Sequence, residues 1–201
     1  GGHILLTSGT TGVYKMVLMT PEMDATFLRR KVAVTGMNQS STLGVFGGGG
    51  WNGVGYRWAA SPWLVGGTTA LRQGPYMHRA LGKSNLTHAV LVPSTLSTIL
   101  AAPSRSFPPS QNLRLFVGGG AMTRAQVKEI KGRITPHLYN WLASTEAGCI
   151  GVTAQNTADD HRWHCLVSDR HVEIVDEDGA PVPLDKVGRM RISTEDGPET
   201  Y

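Results

Sequence analysis

The segment LLTSGTTGVYK, residues 5–15, joins a short apolar run to a loop of hydroxyl and glycine residues that ends at Lys15. In such a loop, backbone N–H groups and hydroxyls can contact phosphate oxygens, and the lysine adds a positive charge. The segment therefore predicts a loop that binds the phosphates of a nucleoside triphosphate. Its candidate contacts are Thr7, Ser8, Gly9, Thr10, Thr11, Gly12 and Lys15.

The loop differs from the phosphate loop of P-loop hydrolases. That motif needs Gly-x-x-x-x-Gly-Lys followed by Ser or Thr. Here Tyr14 precedes Lys15 and Met16 follows it. The spacing disfavours a P-loop hydrolase.

Two further segments place glycine or polar residues directly after an apolar run. LFVGGGAMTRAQVKEI, residues 115–130, has Gly118, Gly119 and Gly120 between a predicted strand and a predicted helix. LYNWLASTEAG, residues 138–148, ends in Thr145 and Glu146. Taken alone, the first could be a simple strand-to-helix turn, and the second could begin a helix whose dipole favours a carboxylate.

Strands and helices alternate over the first part of the chain. HILLTS, LTHAVLVP and LRLFVGG predict strands, since short apolar runs bounded by glycine or proline are typical of them. Thr123 and Gln126 predict a capping box for a helix that Gly132 can end, and Ser94 can cap a helix that stops before Pro103. The alternation predicts an α/β fold with a partly parallel sheet and flanking helices.

From about residue 166 only strand and turn patterns remain. HVEIVDEDG and GRMRIST predict strands, and Asp178 with Gly179 suits a tight hairpin. We expect residues 1–165 to form the α/β part and residues 166–201 to begin a smaller β-rich, distorted barrel-like subdomain.

Composition favours a globular protein of the cytoplasm. The net charge is +4 with scattered basic residues, which is weak support for nucleic acid as a partner. Arg29, Arg30 and Lys31 are expected on the solvated face of a helix. Cys149 and Cys165 are expected as reduced thiols. No apolar run approaches the roughly 18 residues of a membrane span.

Two side-chain clusters invite other interpretations. His161, His164 and Cys165 are residue types that bind zinc, but their spacing matches no common finger and no fourth ligand is evident. Trp51, Trp58 and Trp63, with Tyr56, could form a stacking platform, although such aromatics are more often core. We expect only Trp51 to line a pocket.

The three segments, in this order, resemble the motifs of the adenylate-forming superfamily, which includes acyl-CoA synthetases, nonribosomal peptide adenylation domains and luciferases. The later segment VEIVDEDGAPVPLDKVGRMRIST resembles the β-rich subdomain of the same superfamily. The resemblance implies an acyl-CoA synthetase-like fold and activation of a small-molecule carboxylic acid by ATP and Mg²⁺.

The resemblance also implies roles for individual residues. Lys15 contacts phosphate, Thr145 bonds the α-phosphate, and Glu146 ligates Mg²⁺. The glycine turn lines the adenine and the acyl carboxylate, and Trp51 lies in the acyl pocket with Gly119 and Gly120. The remaining ATP contacts that it implies are Gly118, Asn140, Trp141, Leu142, Ala143 and Ser144.

The sequence departs from the superfamily pattern at four positions in these motifs. Proline and glycine usually flank the loop lysine, where this chain has Tyr14 and Met16. An aromatic residue and glycine usually stand where this chain has Leu142 and Ala143. Leucine can pack on adenine but offers no π-face, so weaker ATP binding or an altered base preference is expected.

The resemblance covers only part of a superfamily enzyme. The ribose-binding aspartate and the mobile carboxy-terminal subdomain with its second lysine would follow residue 201, so we expect this chain alone to have little adenylating activity. CoA is the expected acyl acceptor. The alternatives are a carrier protein loaded by an adenylation domain, and a degenerate nucleotide-binding or interaction module.

Overall fold

A six-stranded sheet runs through the centre of the protein. The computed structural model describes residues 1–8, 14–48, 52–72, 79–81, 85–103 and 108–194. The sheet consists of β3 (Thr42–Phe46), β4 (Thr68–Arg72), β5 (His88–Leu91), β6 (Arg114–Gly118), β7 (Leu138–Ser144) and β8 (Gly148–Ala154). Their order is β4-β3-β5-β6-β7-β8, and only the β7–β8 pair is antiparallel. The predicted α/β fold with a largely parallel sheet is confirmed.

Both faces of this sheet are apolar. Along β6, Leu115 and Val117 pack into one buried cluster, whereas Phe116 packs into another with Trp58. This arrangement is expected where helices cover a parallel sheet on both sides, because successive side chains point to opposite faces.

Four α-helices are delimited in the described residues: α1 (Pro21–Thr35), α2 (Gly55–Trp63), α3 (Pro93–Leu100) and α4 (Arg124–Arg133). A short 3-10 helix covers Asp160–Arg162. The capping box of Thr123 and Gln126 in α4 is confirmed. That helix continues through Gly132, which does not end it. None of the described helices is long and apolar enough to cross a membrane.

The predicted cap of α3 was wrong. The helix begins at Pro93, its N-cap is Val92, and no side chain bonds the free backbone N–H groups there. Ser94 lies inside the first turn. Proline at the first helical position has a backbone angle that already suits a helix and lacks the N–H group that would need a cap.

The three consecutive basic residues of α1 do not share one environment. Arg29 is exposed, as expected, but Lys31 is buried and Arg30 forms an ion pair with Asp169. Lys31 lies four residues after Phe27, which is also buried. Residues at this spacing share one face of a helix, so Lys31 is carried into the interior and its predicted solvation was wrong.

Two antiparallel hairpins flank the main sheet. The first joins β1 (His3–Ser8) to β2 (Tyr14–Met19). The second joins β9 (Arg170–Val175) to β10 (Arg189–Thr194). After β9, the predicted tight turn is present: Gly179 has φ of 85° and its N–H donates to the Asp176 carbonyl at 3.2 Å.

The second hairpin packs on the main sheet. Ile192 of β10 is buried against Ile150 of β8 and Ala147. A bridge between Gly151 and Leu166 adds a backbone link to the same strand. The division of the chain at residue 166 stays a prediction.

Candidate functional site

A cavity of about 800 Å³ opens where three parallel strands end. Its wall includes Leu91 at the end of β5, Gly118 at the end of β6 and Ser144 at the end of β7. Ligands of open α/β sheets bind outside the carboxyl ends of the strands. The fold therefore places this cavity where a ligand is expected.

The cavity brings together side chains from all three segments singled out in the sequence. Of the candidates, those that line it are Thr7, Lys15, Gly118, Gly119, Gly120, Asn140, Trp141, Leu142, Ala143, Ser144, Thr145 and Glu146. Ser8 is described only through its backbone, which pairs with Tyr14. Gly9, Thr10, Thr11, Gly12 and Trp51 lie outside the described residues.

The β1–β2 hairpin sets the position of Lys15. Thr7 and Lys15 are direct cross-strand partners, so both ends of the predicted phosphate loop lie side by side. Leu5 and Met19 are buried against Phe27 of α1, which anchors the hairpin. The variant residues flanking Lys15 are both largely exposed, 69% for Tyr14 and 75% for Met16, and Tyr14 also lines the cavity.

The glycine turn after β6 has a steric reason at each position. A Cβ on Gly118 would come within 2.8 Å of the Trp141 carbonyl oxygen. Gly119 has φ of 82°, in the left-handed region that side chains disfavour. A Cβ on Gly120 would meet Pro93 Cγ at 3.1 Å. Glycine is therefore favoured at all three positions, and the turn lines the cavity with backbone alone.

Strand β7 contributes a buried aromatic residue to the cavity wall. Trp141 packs edge to face against Trp58 of α2, with ring centroids 4.8 Å apart. Trp58 also lines the cavity, so the expectation that only Trp51 of the cluster with Trp58, Trp63 and Tyr56 would do so was wrong. Trp63 is 63% exposed.

Thr145 and Glu146 lie in the turn between β7 and β8, not at the start of a helix. The Ser144 hydroxyl accepts a hydrogen bond from the Ala147 N–H at 3.0 Å, which closes the turn. Gly148 follows with φ of 67°, and a Cβ there would meet the Phe27 ring at 2.9 Å. The turn thus presents Thr145 and Glu146 to the cavity.

Arg57 of α2 bonds the backbone of this turn. It was not among the predicted site residues. Its Nη1 donates to the Thr145 carbonyl at 2.7 Å, and its Nη2 contacts Met19 Sδ at 2.8 Å. Its Nε lies 3.6 Å from Asp24 Oδ1. Burial lowers the pKa of Arg57, while the negative charges of Asp24 and Glu146 oppose that change. One guanidinium therefore connects the turn to β2 and α1.

A second arginine supports the turn from the carboxy-terminal hairpin. Arg170 is buried and donates to the Ala147 carbonyl at 2.6 Å and to the Cys149 carbonyl at 3.3 Å. Sequence analysis missed this residue as well. Its neighbours in sequence carry no motif, and its role comes from tertiary packing.

Lys31 is the third charged residue that the sequence did not identify. It is only 6% exposed, yet it lines the cavity. Its Nζ lies 4.5 Å from the centroid of the Trp58 ring and 5.9 Å from that of Trp141. Burial, followed by the nearby charge of Arg57, holds the pKa of Lys31 well below its ordinary value.

The histidines after β8 lie at the cavity rather than in a metal cluster. His161 and His164 line its wall, while Cys165 is exposed. The described part of the chain contains no group of three His, Cys, Asp or Glu residues placed to hold a metal. Both cysteines are free thiols, and burial raises the pKa of Cys149 to about 12.

Comparison with known proteins places this geometry in one family. The sequence profile of the AMP-binding enzyme family matches residues 3–197. The fold is similar to that of the amide bond synthetase McbA from Marinactinospora thermotolerans, with a TM-score of 0.74 and 23% identity over 98% of this chain and 40% of that one. A search of curated proteins gave no match.

Two further solved structures have the same fold. ATP-bound MatB from Rhodopseudomonas palustris has a TM-score of 0.76 and 15% identity, over 95% of this chain and 39% of that one. Apo MbtA from Mycobacterium smegmatis has a TM-score of 0.74 and 20% identity, over 95% of this chain and 36% of that one.

These structural likenesses establish the acyl-CoA synthetase-like fold of adenylate-forming enzymes. The chain spans less than half the length of the three structures. The family profile, by contrast, covers nearly all of this chain. The protein therefore belongs to the AMP-binding enzyme family.

Proposed function

We propose that the protein activates a carboxylic acid with ATP, as part of an enzyme that then transfers the acyl group to a thiol, with CoA as the main candidate acceptor. The observation that carries the proposal is the convergence of three distant segments on one cavity. Lys15, the Gly118–Gly120 turn and Glu146 line that single space. Each supplies a feature that binding of a nucleoside triphosphate requires.

The reaction requires control of charge and alignment. A substrate carboxylate oxygen forms a bond to the α-phosphorus of ATP, the bond to the pyrophosphate oxygen breaks, and an acyl-adenylate remains. Both reactants are anions, so the site has to neutralise charge and hold the attacking and leaving oxygens in line. This needs no covalent bond to the protein.

We assign the positive charge to Lys15 and the hydrogen bond to the α-phosphate to Thr145. The backbone of the glycine turn faces the same cavity, where it can approach adenine and the acyl carboxylate. Trp141, Leu142 and Ala143 complete the assigned nucleotide surface. Leu142 is half-buried and can pack against a base through its apolar side chain.

Glu146 is the residue that we assign to Mg²⁺. A single half-buried carboxylate at the cavity wall suits this ion, which keeps several waters and takes one or two carboxylates together with nucleotide phosphates. When bound, Mg²⁺ would neutralise phosphate charge. The part that this chain contributes is to hold the Glu146 carboxylate, through the turn that Arg57 and Arg170 support.

The acceptor is tested on the full-length protein that carries this chain. The protein is given ATP, an accepted acid and one of three acceptors: CoA, a carrier protein bearing a phosphopantetheine thiol, or an amine. The acyl product of each reaction is then identified. We expect a thioester with CoA. A thioester formed only on the carrier protein would mean that the carrier, and not CoA, is the acceptor. An amide product would mean that the acceptor is an amine instead of a thiol.

Nucleotide binding is tested separately by calorimetry with Mg-ATP. Lys15→Ala is expected to weaken binding at least about tenfold, because it removes a charge-assisted contact to phosphate. Lys128→Ala removes a lysine from helix α4 outside the cavity and is the matched control. Equal affinity of both variants would contradict the assigned role of Lys15.

A further inference from the structure

Lys31 stands out as a buried amine on the wall of the cavity. Among the described residues, its Nζ has no hydrogen bond and no ion pair, only the two tryptophan rings of Trp58 and Trp141. A buried lysine is rarely left without a partner, because burial penalises its charged form. The proposed phosphate contacts do not account for it.

The groups around Lys31 are mostly apolar or positively charged, with Asp24 and Cys149 as the acidic exceptions. Phe27 lies one helical turn before Lys31, the Trp141 ring centroid lies 5.9 Å from its Nζ, and the buried side chain of Val90 lines the same cavity. Arg57 adds a like charge, while Asp24 is engaged by Arg57 and by the Tyr56 hydroxyl at 2.7 Å. The thiol of Cys149 is protonated at neutral pH, since burial raises its pKa to about 12.

This environment favours one class of occupant over others. A cation, such as the ammonium group of an amino acid, would be repelled by Lys31 and Arg57. A purely apolar acyl chain would cover the amine without giving it a hydrogen-bond partner. An anionic oxygen at the end of an apolar spacer would satisfy both the amine and the aromatic walls.

We propose that Lys31 binds a second carboxylate of the acid substrate, and that the protein activates dicarboxylic acids with an apolar spacer. This inference rests on the proposed ATP-dependent activation. One carboxylate would react at the α-phosphate, and the other would form a charge-assisted hydrogen bond with the Lys31 ammonium. The spacer would lie against Trp58 and Trp141.

Substrate pairs that differ only in the second carboxylate provide the test. ATP–pyrophosphate exchange is measured on the full-length protein with the linear diacids from succinate to suberate and the monoacids of equal carbon number. Terephthalate and 4-methylbenzoate form an aromatic pair. We expect at least one diacid to exceed its monoacid about tenfold or more in kcat/KM, as the gain of a charged hydrogen bond implies.

Two variants assign that preference to Lys31. Lys31→Met keeps the length of the side chain but removes the amine. It should abolish or reverse the preference in kcat/KM for the diacid over its monoacid. Arg29→Met removes one positive charge from an exposed position of the same helix and should keep the ratio. If both variants lose the preference in kcat/KM for the diacid, a specific contact between Lys31 and the second carboxylate is contradicted.

Binding of the second carboxylate should also take up a proton. The pKa of Lys31 is lowered in the empty cavity, and a paired anion would raise it, so binding should take up protons at pH values between the empty and the bound pKa. Calorimetry of the preferred diacid in two buffers of different ionisation enthalpy should show uptake of up to about one proton. The matched monoacid, and the diacid with Lys31→Met, should show none.

The outcomes separate this inference from the proposed function. Exchange with monoacids alone, or a diacid preference unchanged by Lys31→Met, would overturn the role of Lys31 and leave acid activation standing. Absence of exchange with every acid would overturn the activation itself, and the role of Lys31 with it.

Discussion

Arg57 and Thr145 are joined by a hydrogen bond of 2.7 Å between the guanidinium Nη1 and the carbonyl oxygen. Through this bond a helix on one side of the cavity holds the turn that carries Glu146. Arg170 holds the other end of the same turn through the Ala147 carbonyl. The candidate metal ligand is thus positioned by two buried arginines that bond the backbone rather than its own carboxylate.

Removing Arg57 should cost stability mainly by leaving the buried Asp24 carboxylate without its positively charged partner. Both residues are buried. We expect Arg57→Met to lower the free energy of unfolding by about 3 to 5 kcal/mol, as is typical when one partner of a buried ion pair is lost. Adding Asp24→Asn should restore part of this loss, and urea unfolding of the double-mutant cycle measures it. Strictly additive single effects would show that the two residues do not interact.

The glycine turn can be tested with a pair of Gly→Ala variants. Gly118→Ala should destabilise the protein by about 1 to 3 kcal/mol, because its Cβ would lie 2.8 Å from the Trp141 carbonyl oxygen. Gly132→Ala should stabilise it by about 0.5 to 1 kcal/mol, since that position lies in α4 with no atom within 4 Å of a new Cβ. Thermal unfolding measures both, and the same sign for both would contradict the packing described.

Lys31 should make stability depend on pH. Its pKa is lowered in the folded protein from an ordinary value of 10.5, so between the two values the unfolded chain binds more protons. Stability therefore rises with pH over that window, and the cost of Lys31 is largest at its acidic end. Lys31→Met should stabilise the protein more near pH 6 than near pH 9.

Arg29→Met, on the exposed side of the same helix, is the control for that comparison. It changes the net charge equally without removing a buried amine. Urea unfolding at both pH values measures the two variants. A gain for Lys31→Met that grows toward alkaline pH would contradict a lowered pKa.

The two cysteines should differ sharply toward thiol reagents. Cys165 is exposed, whereas Cys149 is buried and its pKa is raised to about 12. Since the thiolate is the reactive form, Cys165 should be alkylated rapidly and Cys149 only after unfolding. Mass spectrometry of the native protein after brief treatment with iodoacetamide locates the label. Prompt labelling of Cys149 would show that this part of the cavity wall opens.

Local patterns in the sequence predicted much of the fold. The capping box at Thr123 and the turn at Gly179 depend on residues close together in the chain, so they can be recognised without the structure. The cap expected at Ser94 was wrong because Pro93 starts the helix by itself. The alternation of strands and helices was sufficient to predict the largely parallel sheet.

The charged residues around the cavity could not be predicted in the same way. Lys31 and Arg57 belong to residue types that are usually exposed, and their burial depends on contacts with segments far away in sequence. A helical spacing from Phe27 was the available signal for Lys31. The partners of Arg57 are distant in the chain: Asp24 lies 33 residues before it and Thr145 lies 88 residues after it.

The central claim is that this cavity activates a carboxylic acid with ATP, and acid-dependent ATP–pyrophosphate exchange tests it most directly. The full-length protein is assayed with the acid panel, beside Glu146→Ala and the control Glu177→Ala, which alters an exposed acid in the turn after β9. We predict exchange with at least one acid, loss of about a hundredfold or more in Glu146→Ala, and retention in Glu177→Ala. If no acid supports ATP–pyrophosphate exchange while Mg-ATP still binds, acid activation is contradicted. That result would favour a nucleotide-binding module without catalysis.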